Sequence, residues 1–214
     1  LISICTVVIK PTIIREMTNN IVYMGSPEFT LPVLEALLKM DKDIAGVYTQ
    51  PDKVMGRGLT HQQSAVKRFA EQKGLRVIQP KSLKGKAVTV ELMDLSPEVI
   101  VIAAYGHILP KEILAIPKRG CINIHPSLLP RHRGPSPVTN TFLEGDEVSG
   151  VSIMLLDEGL DTGPILASQE YEIYQADNAK TLTERLFREG AKLLEVVLPR
   201  YLQGITVPRP QETE

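Results

Sequence analysis

The 214-residue chain has few cysteines and no long hydrophobic run, and each shortage excludes a class of protein. Its two cysteines, Cys5 and Cys121, lie far apart and lack the close spacing of metal ligands. We therefore expect neither a disulfide scaffold nor a cysteine zinc site, and a reducing compartment such as the cytoplasm fits. No apolar run reaches the roughly 18 residues that a membrane span requires, so we expect no membrane association.

The chain also has almost no net charge, because 24 Lys and Arg face 25 Asp and Glu for a formal charge of -1. A strongly cationic binding protein is thereby excluded. The charges are nevertheless distributed unevenly along the sequence. Residues 52–86 contain nine basic and two acidic side chains, whereas residues 134–179 contain nine acidic side chains and no Lys or Arg. Such a chain can present a positive face to a polyanion, although solvated helix faces give the same pattern.

Apolar strands alternate with amphipathic helical stretches along most of the sequence. The early strands are apolar throughout, which predicts βαβ units in a parallel sheet that is covered on both faces. The expected fold is therefore α/β, with three Rossmann-like layers around a mostly parallel central sheet. Ser26 and Pro27 predict the start of the first helix, and residues 50–63 are expected to form a polar loop. Strands are expected at 20–24, 44–49, 76–78, 98–103, 121–124, 151–155 and 165–173, and helices after Ser26, at 64–73, around Val88–Leu95 and at 181–202.

The domain boundaries follow from the two ends of the sequence. Residues 1–16 are apolar but contain Lys10-Pro11 and no small-residue cleavage site, so they are not typical of a signal peptide. We expect them to be an upstream extension, with Met17 as the natural start. Residues 17–205 are expected to form the folded domain, and residues 206–214 have the composition of a linker.

Neither common nucleotide-binding motif is present. No G-x-G-x-x-G follows the first strand, and no G-x-x-x-x-G-K-[ST] occurs, so dinucleotide and P-loop binding lose their usual support. Ligands of parallel sheets bind beyond the carboxyl ends of the strands, so the loops that follow strands are the candidate sites.

Three polar residues in such positions could carry chemistry. Asn123 and His125 are two apart in a strand and therefore share a face, where an amide donor and a titratable imidazole could hold an oxyanion. Asp161 lies in a glycine-containing loop after a later strand and could orient or charge a histidine. A buried structural pair and a turn carboxylate are the alternatives for these motifs taken singly.

The remaining histidines and one apolar loop have plainer interpretations. Leu128 and Leu129 could form the wall of a site for a flat aromatic ligand, or they could simply fill the core. His107 is expected to be a loop residue and His132 a surface residue. The four histidines do not form a metal-binding pattern, so we expect no metal.

Taken together, the motifs resemble those of the folate-dependent formyltransferase family. The resemblance is carried by Asn123-x-His125, Ser127-Leu-Leu-Pro130 and Leu160-Asp161-Thr-Gly163, in this order and with 36 residues from His125 to Asp161. Further motifs resemble the branch of that family that formylates methionyl-tRNA. They are Met24–Phe29, Thr49–Gly58, Gln79–Leu83 and Ala104–Pro110, and the resemblance extends over about residues 19–210.

The resemblance implies an enzyme that transfers the formyl group of 10-formyltetrahydrofolate to the methionine amino group of initiator methionyl-tRNA. It implies that Asn123, His125 and Asp161 are catalytic. In this interpretation Asp161 raises the pKa of His125, and His125 is protonated when it acts. The loop 49–59 is implied to contact tRNA through Lys53 and Arg57, in a protein that we expect to be a monomer. The implied folate-binding residues are Ile108, Leu109, Pro110, Ser127, Leu128, Leu129, Pro130, Asp157 and Leu160.

The sequence departs from the family pattern at several places. Gln63 and Ala65 occupy positions usually held by proline. Leu59-Thr60 stands where a lysine pair is often found, and His132 stands where tryptophan is common. The family also has a smaller C-terminal domain that binds tRNA, toward which residues 206–214 are expected to lead. Two alternative functions stay open: the same site acting on a small acceptor (water, a sugar-nucleotide amine or a glycinamide ribotide), and a folate- or RNA-binding module without catalysis.

Overall fold

The computed structural model describes residues 20–40, 42–55 and 60–212. Within these ranges, only the backbone is described for residues 53–55 and 60–61. The expected extension 1–16 and the predicted tRNA contact Arg57 therefore lie outside the described residues. The strands are β1 (Asn20–Gly25), β2 (Asp43–Tyr48), β3 (Lys53–Met55), β4 (Thr60–Gln62), β5 (Val77–Ile78), β6 (Val99–Ala103), β7 (Cys121–His125), β8 (Val148–Leu155) and β9 (Ile165–Glu172). The helices are α1 (Leu31–Lys39), α2 (Ala65–Gln72), α3 (Lys86–Asp94), α4 (Lys111–Leu114), α5 (Pro137–Leu143) and α6 (Ala179–Leu202).

A seven-stranded sheet in the order β5-β2-β1-β6-β7-β8-β9 forms the centre of the fold. The first five strands in this order, which are β5, β2, β1, β6 and β7, are parallel. Strands β8 and β9 run antiparallel to their neighbours. The prediction of a mostly parallel sheet is confirmed, and β9 lies at the edge as its alternating pattern indicated. Strand β6, with the sequence Val-Ile-Val-Ile-Ala, is buried along its whole length, as expected for a central parallel strand.

Helices cover both faces of the sheet, which gives the three layers. One core lies between the sheet and α1, α2 and α6, and includes Leu34, Val66 and Leu194. The second core lies on the opposite face, with Leu92 of α3 and Ile113 of α4. Strand β7 contributes to both, because Ile122 and Ile124 belong to the first core and Cys121 to the second. This alternation turns Asn123 and His125 to the same face as Cys121.

Local capping explains where two of the helices begin. Ser64 accepts a hydrogen bond from Lys67 N–H at 3.0 Å and starts α2, in agreement with the predicted helix 64–73. Asn178 and Thr181 form a capping box at the start of α6, which confirms the long C-terminal helix. In α6, Gly190 lies directly over the sheet: a Cβ there would come within 2.7 Å of Ile124 Cγ2. The glycine allows the helix to pack closely on β7.

Several local predictions were wrong. Ser26 does not cap a helix: a short 3-10 turn at Glu28–Thr30 precedes α1, and Ser26 Oγ accepts the N–H of Gln50 instead. The expected polar loop 50–63 contains the antiparallel pair β3 and β4. The short helices α4 and α5 were not predicted, because four or seven residues give too little periodicity to recognise. Met93 was expected in the apolar stripe of α3 but is 57% exposed.

The segment 206–212 lies against the sheet edge. Arg209 and Ile165 exchange backbone hydrogen bonds of 2.7 and 2.8 Å, which continues the ladder beyond β9. The assignment of residues 206–214 to a linker stays a prediction. Among the described residues, no helix is both long and apolar enough to cross a bilayer.

Candidate active site

The end of β7 brings Asn123 and His125 to the wall of a cavity of about 700 Å³. The ring of His125 is almost fully buried, at 4% exposure, whereas Asn123 is half-buried. Asp161 reaches the same wall from a distant part of the sequence. The structure therefore brings together the three residues that the sequence predicted to act as a unit.

The hydrogen bond of His125 Nε2 defines the tautomer of this histidine. Nε2 lies 3.0 Å from the backbone carbonyl oxygen of His132. A carbonyl oxygen can only accept, so Nε2 carries the proton and donates it. In the neutral ring Nδ1 is then the nitrogen with a free lone pair, and it lies 3.7 Å from Asp161 Oδ2. Protonation at Nδ1 would give a cation directly beside this carboxylate.

Burial lowers the pKa of His125 below its ordinary value. The charge of Asp161 and the carbonyl of His132 oppose this effect, and the nearby His132 ring adds to it. The imidazole is accordingly neutral at neutral pH. The expectation of a protonated His125 was wrong for this state of the protein, because desolvation outweighs the neighbouring carboxylate. The expected direction of the Asp161 contribution was right.

The loop after β8 delivers Asp161 by an unexpected route. Since β8 is antiparallel to β7, the chain leaves it beside the start of β7, where Leu156 N–H bonds to Cys121 O at 2.8 Å. The loop then folds back, and Asp161 Oδ2 accepts the N–H of Gly134 at 2.9 Å. Asn123 Nδ2 donates to Asp161 Oδ1 at 3.5 Å. Asp161 itself has φ of 52°, a left-handed conformation that Asp tolerates better than most residues.

His132 supports the site through its backbone carbonyl, which binds His125, and the sequence analysis did not predict this role. It was expected to be a surface residue, but its side chain is only 6% exposed and its Nε2 lies 2.6 Å from Asp146 Oδ2. Its φ of 56° is left-handed, and this backbone carries the carbonyl that binds His125. His107 was assigned to a loop with no ligand role, yet it lines the cavity. No periodicity signal could have revealed either position.

His132, Glu144 and Asp146 also place potential metal-ligand atoms within 4.8 Å of one another. Arg131 donates to both carboxylates, at 3.3 and 2.7 Å, so one of their two negative charges is already matched. None of these three residues is among the described residues that line the cavity. The expectation that the protein needs no metal stays a prediction.

Four of the nine predicted folate-binding residues line the cavity: Ile108, Leu109, Asp157 and Leu160. Ile108 and Leu160 are 88% and 60% exposed, so two large apolar side chains at the cavity face solvent. The Nε2 of His107 is buried and has no hydrogen-bond partner among the described residues. An apolar surface beside a buried polar atom suits a flat ring that carries hydrogen-bonding groups.

The other five predicted folate-binding residues do not line the cavity. Pro110 caps the start of α4. Ser127 is fully buried and its Oγ donates to Arg131 O at 2.7 Å, and Leu129 N–H donates to Ser152 Oγ at 3.1 Å. Leu128 packs where a Cβ on Gly150 would be. For Leu128 and Leu129 this placement favours the core-filling alternative. The contact of all five residues with folate stays a prediction.

The predicted tRNA-binding residues are placed only in part. Lys53 lies in β3, but its side chain is outside the described residues, as is all of Arg57. Within the basic segment, Lys67 pairs with Asp52 at 2.7 Å and Arg76 with Glu91 at 3.0 Å. Part of the positive charge of residues 52–86 is thus matched locally.

Comparisons with known proteins bear on this arrangement. Residues 19–198 match the family model described as formyl transferase. A methionyl-tRNA formyltransferase from Thermodesulfovibrio yellowstonii is 46% identical over 198 residues, which cover 92% of this chain and 64% of that protein. The chain therefore spans less than two thirds of the length of this curated relative.

Solved structures share the fold at lower identity. A glycinamide ribonucleotide transformylase from Symbiobacterium toebii superposes with a TM-score of 0.74 at 18% identity, covering 90% of this chain and 94% of that one. A sugar 3N-formyl transferase, solved in the presence of dTDP and 5-N-formyl-THF, gives a TM-score of 0.66 at 18% identity and covers 91% and 66%. At this identity the likeness concerns the fold alone.

Proposed function

The chain belongs to the formyl transferase family, and on that basis we propose that it transfers the formyl group of 10-formyltetrahydrofolate to the methionine amino group of initiator methionyl-tRNA. The observation that carries the proposal is the convergence of Asn123, His125 and Asp161 on one cavity wall. The name of the 46% identical relative supports the acceptor. The proposal places the protein in the cytoplasm as a monomer.

The cavity residues fit a folate. The volume of the cavity, about 700 Å³, lies within the range of about 300–1,000 Å³ for small-molecule sites. Ile108 and Leu160 would hold the ring system through apolar contact, and His107 Nε2 offers a polar partner. The formylated folate supplies an electrophilic carbonyl carbon, and the protein residues perform the remaining steps.

Asn123 stabilises the negative charge that forms on the formyl oxygen when the amine adds to the carbonyl carbon. Its amide nitrogen has two N–H groups, and only one is directed to Asp161. The other is available to the formyl oxygen. A single donor of this kind lowers the barrier by about 2.7–4 kcal/mol in other enzymes.

His125 acts as the base because its neutral form has a lone pair on Nδ1. It accepts the proton of the attacking amine and returns it to the nitrogen that departs from the formyl carbon, so no proton is gained or lost overall. Asp161, 3.7 Å away, stabilises the imidazolium that exists between these two transfers. Acid–base assistance of this kind contributes about 10²–10⁴-fold. The bond from carbon to the amine forms and the bond from carbon to the folate nitrogen breaks.

An acceptor panel tests the proposal. We expect the chain to consume 10-formyltetrahydrofolate quickly with initiator methionyl-tRNA and slowly with buffer alone, uncharged tRNA or a glycinamide ribotide. Equal consumption in buffer alone would indicate a hydrolase and overturn the assignment of the acceptor. Faster consumption with the small amine would identify that amine as the substrate instead.

A further inference from the structure

Gln211 connects the segment 206–212 to both loops that surround Asp161. Its Nε2 donates to the carbonyl oxygens of Asp161 and Gly163, each at 2.8 Å. Its Oε1 accepts from the guanidinium of Arg133, at 3.0 Å from Nε and 2.6 Å from Nη2. A glutamine side chain has two donors and one oxygen with two lone pairs, so Gln211 uses its full hydrogen-bonding capacity here.

The bonds of Gln211 act on the loop that carries the carboxylate of Asp161. Asp161 holds a left-handed backbone, and Gln211 binds the carbonyl of that same residue. Arg133 precedes Gly134, whose N–H donates to Asp161 Oδ2 at 2.9 Å. One side chain therefore joins the backbone of Asp161 to the loop that hydrogen-bonds its carboxylate.

Gln211 is itself held in place by regular structure. Two residues earlier, Arg209 pairs with Ile165 through two backbone hydrogen bonds at the start of β9. Gly163, the second carbonyl partner of Gln211, lies just before that pair. The position of Gln211 is thus set by the sheet, and a rigid support of this kind can hold a side chain within the few tenths of an ångström that catalysis requires.

We propose that Gln211 is a positioning residue: by cross-linking the loops 131–134 and 157–163 it holds the Asp161 carboxylate against His125. This inference rests on the proposed roles of Asp161 and His125. Without Gln211, Asp161 moves away from the imidazole, and the imidazolium loses its stabilising charge. Because Gln211 does not line the cavity, its loss affects the rate of reaction more than substrate binding.

Two variants separate the two halves of the cross-link. Gln211→Met keeps the length of the side chain and removes all four hydrogen bonds. Gln211→Glu can still accept from Arg133 but cannot donate to the carbonyls of Asp161 and Gly163. Gln203→Met is the matched control, because Gln203 is an exposed glutamine at the end of α6.

The first readout is the titration of His125, followed by nitrogen-15 NMR of the imidazole in the protein without substrates. The groups that set its pKa are burial, Asp161, the His132 carbonyl and the His132 ring. Displacement of Asp161 removes the main opposing charge, so we expect both Gln211 variants to titrate about half a pH unit lower, with Gln203→Met unchanged. An unchanged midpoint in Gln211→Met, in a folded protein, would overturn the proposal. A shift in Gln211→Met alone would overturn the role given to the two carbonyl bonds.

The second readout is the steady-state kinetics of formyl transfer. We expect kcat to fall about 10- to 100-fold in both Gln211 variants, with KM for the formyl donor nearly constant. A rise in KM at constant kcat would contradict positioning. The NMR titration needs no activity, so an inactive chain with a shifted His125 midpoint would overturn the proposed function while supporting the role of Gln211.

Discussion

Nδ1 of His125 lies 3.7 Å from Oδ2 of Asp161, and the same carboxylate oxygen accepts the N–H of Gly134 at 2.9 Å. The opposite ring nitrogen donates to the His132 carbonyl, so this bond fixes the tautomer of the imidazole. A ring with a fixed tautomer and a carboxylate beside its free lone pair is arranged to accept a proton.

Asp161→Asn keeps the acceptor for Gly134 N–H but removes the negative charge. We expect a folded protein whose kcat/KM for formyl transfer is lower by about 10²–10⁴-fold, because the imidazolium is no longer stabilised. Steady-state assays with circular dichroism as the folding check provide the test. Asp94→Asn, at an exposed position at the end of α3, is the matched control. Near-normal activity in Asp161→Asn would remove this residue from the mechanism.

The pH profile reports the protonation of His125. Burial lowers its pKa. Because the proposed mechanism uses the neutral ring as the base, we expect kcat/KM to rise with pH and level off. We expect the midpoint of this rise to lie below about 6.5, the ordinary value for histidine. In Asp161→Asn the midpoint moves lower still, since the opposing charge is gone. Activity that declines as pH rises through this range would show that the protonated ring is required.

The half-buried pair of His132 and Asp146 is expected to contribute to stability in a pH-dependent manner. The hydrogen bond from His132, followed by that from Arg131, lowers the pKa of Asp146. A carboxylate with a lowered pKa stabilises the fold above its unfolded-state value and loses this contribution as pH falls through the folded-state value. Urea denaturation should therefore show Asp146→Asn to be less stable than wild type at neutral pH, with the difference closing below about pH 4. A difference independent of pH would indicate loss of packing alone.

Gly190 permits the close contact of α6 with β7 and β8. A Cβ at this position would lie 2.7 Å from Ile124 Cγ2 and 3.0 Å from Val151 Cγ2, both on stiff β-branched side chains. We expect Gly190→Val to reduce the free energy of unfolding by about 1–3 kcal/mol. Val196→Ala, on the exposed side of the same helix, should change it by less than about 0.5 kcal/mol. Equal effects of the two substitutions would contradict the packing argument.

The sequence predicts the sheet and the long helices because their patterns are regular. The uninterrupted apolar run of β6 and the capping residues Ser64 and Asn178 identify elements without any tertiary information. The pair β3 and β4 and the helix α4 are too short to produce a period. Ser26 has the composition of a cap, but a tertiary bond to Gln50 N–H takes its side chain.

The candidate site is predictable only where motifs carry it. Asn123 and His125 share a face because strand residues two apart always do. Asp161 joins them through a loop that folds back from an antiparallel strand, which strand topology alone would not reveal. His132 and Gln211 act through a backbone carbonyl and a side-chain amide from remote loops. Such contacts leave no spacing in the sequence, so only the structure shows them.

We propose that Asn123, His125 and Asp161 together transfer a formyl group to methionyl-tRNA. The most direct measurement is a single-turnover experiment that follows formylmethionine on initiator tRNA after the chain is mixed with 10-formyltetrahydrofolate, for wild type and His125→Ala. The proposed mechanism predicts rapid formylation that requires charged tRNA and slows by about 10²–10⁴-fold in the folded His125→Ala protein. Formylation by His125→Ala at the wild-type rate, or release of formate at the same rate with and without charged tRNA, would contradict it.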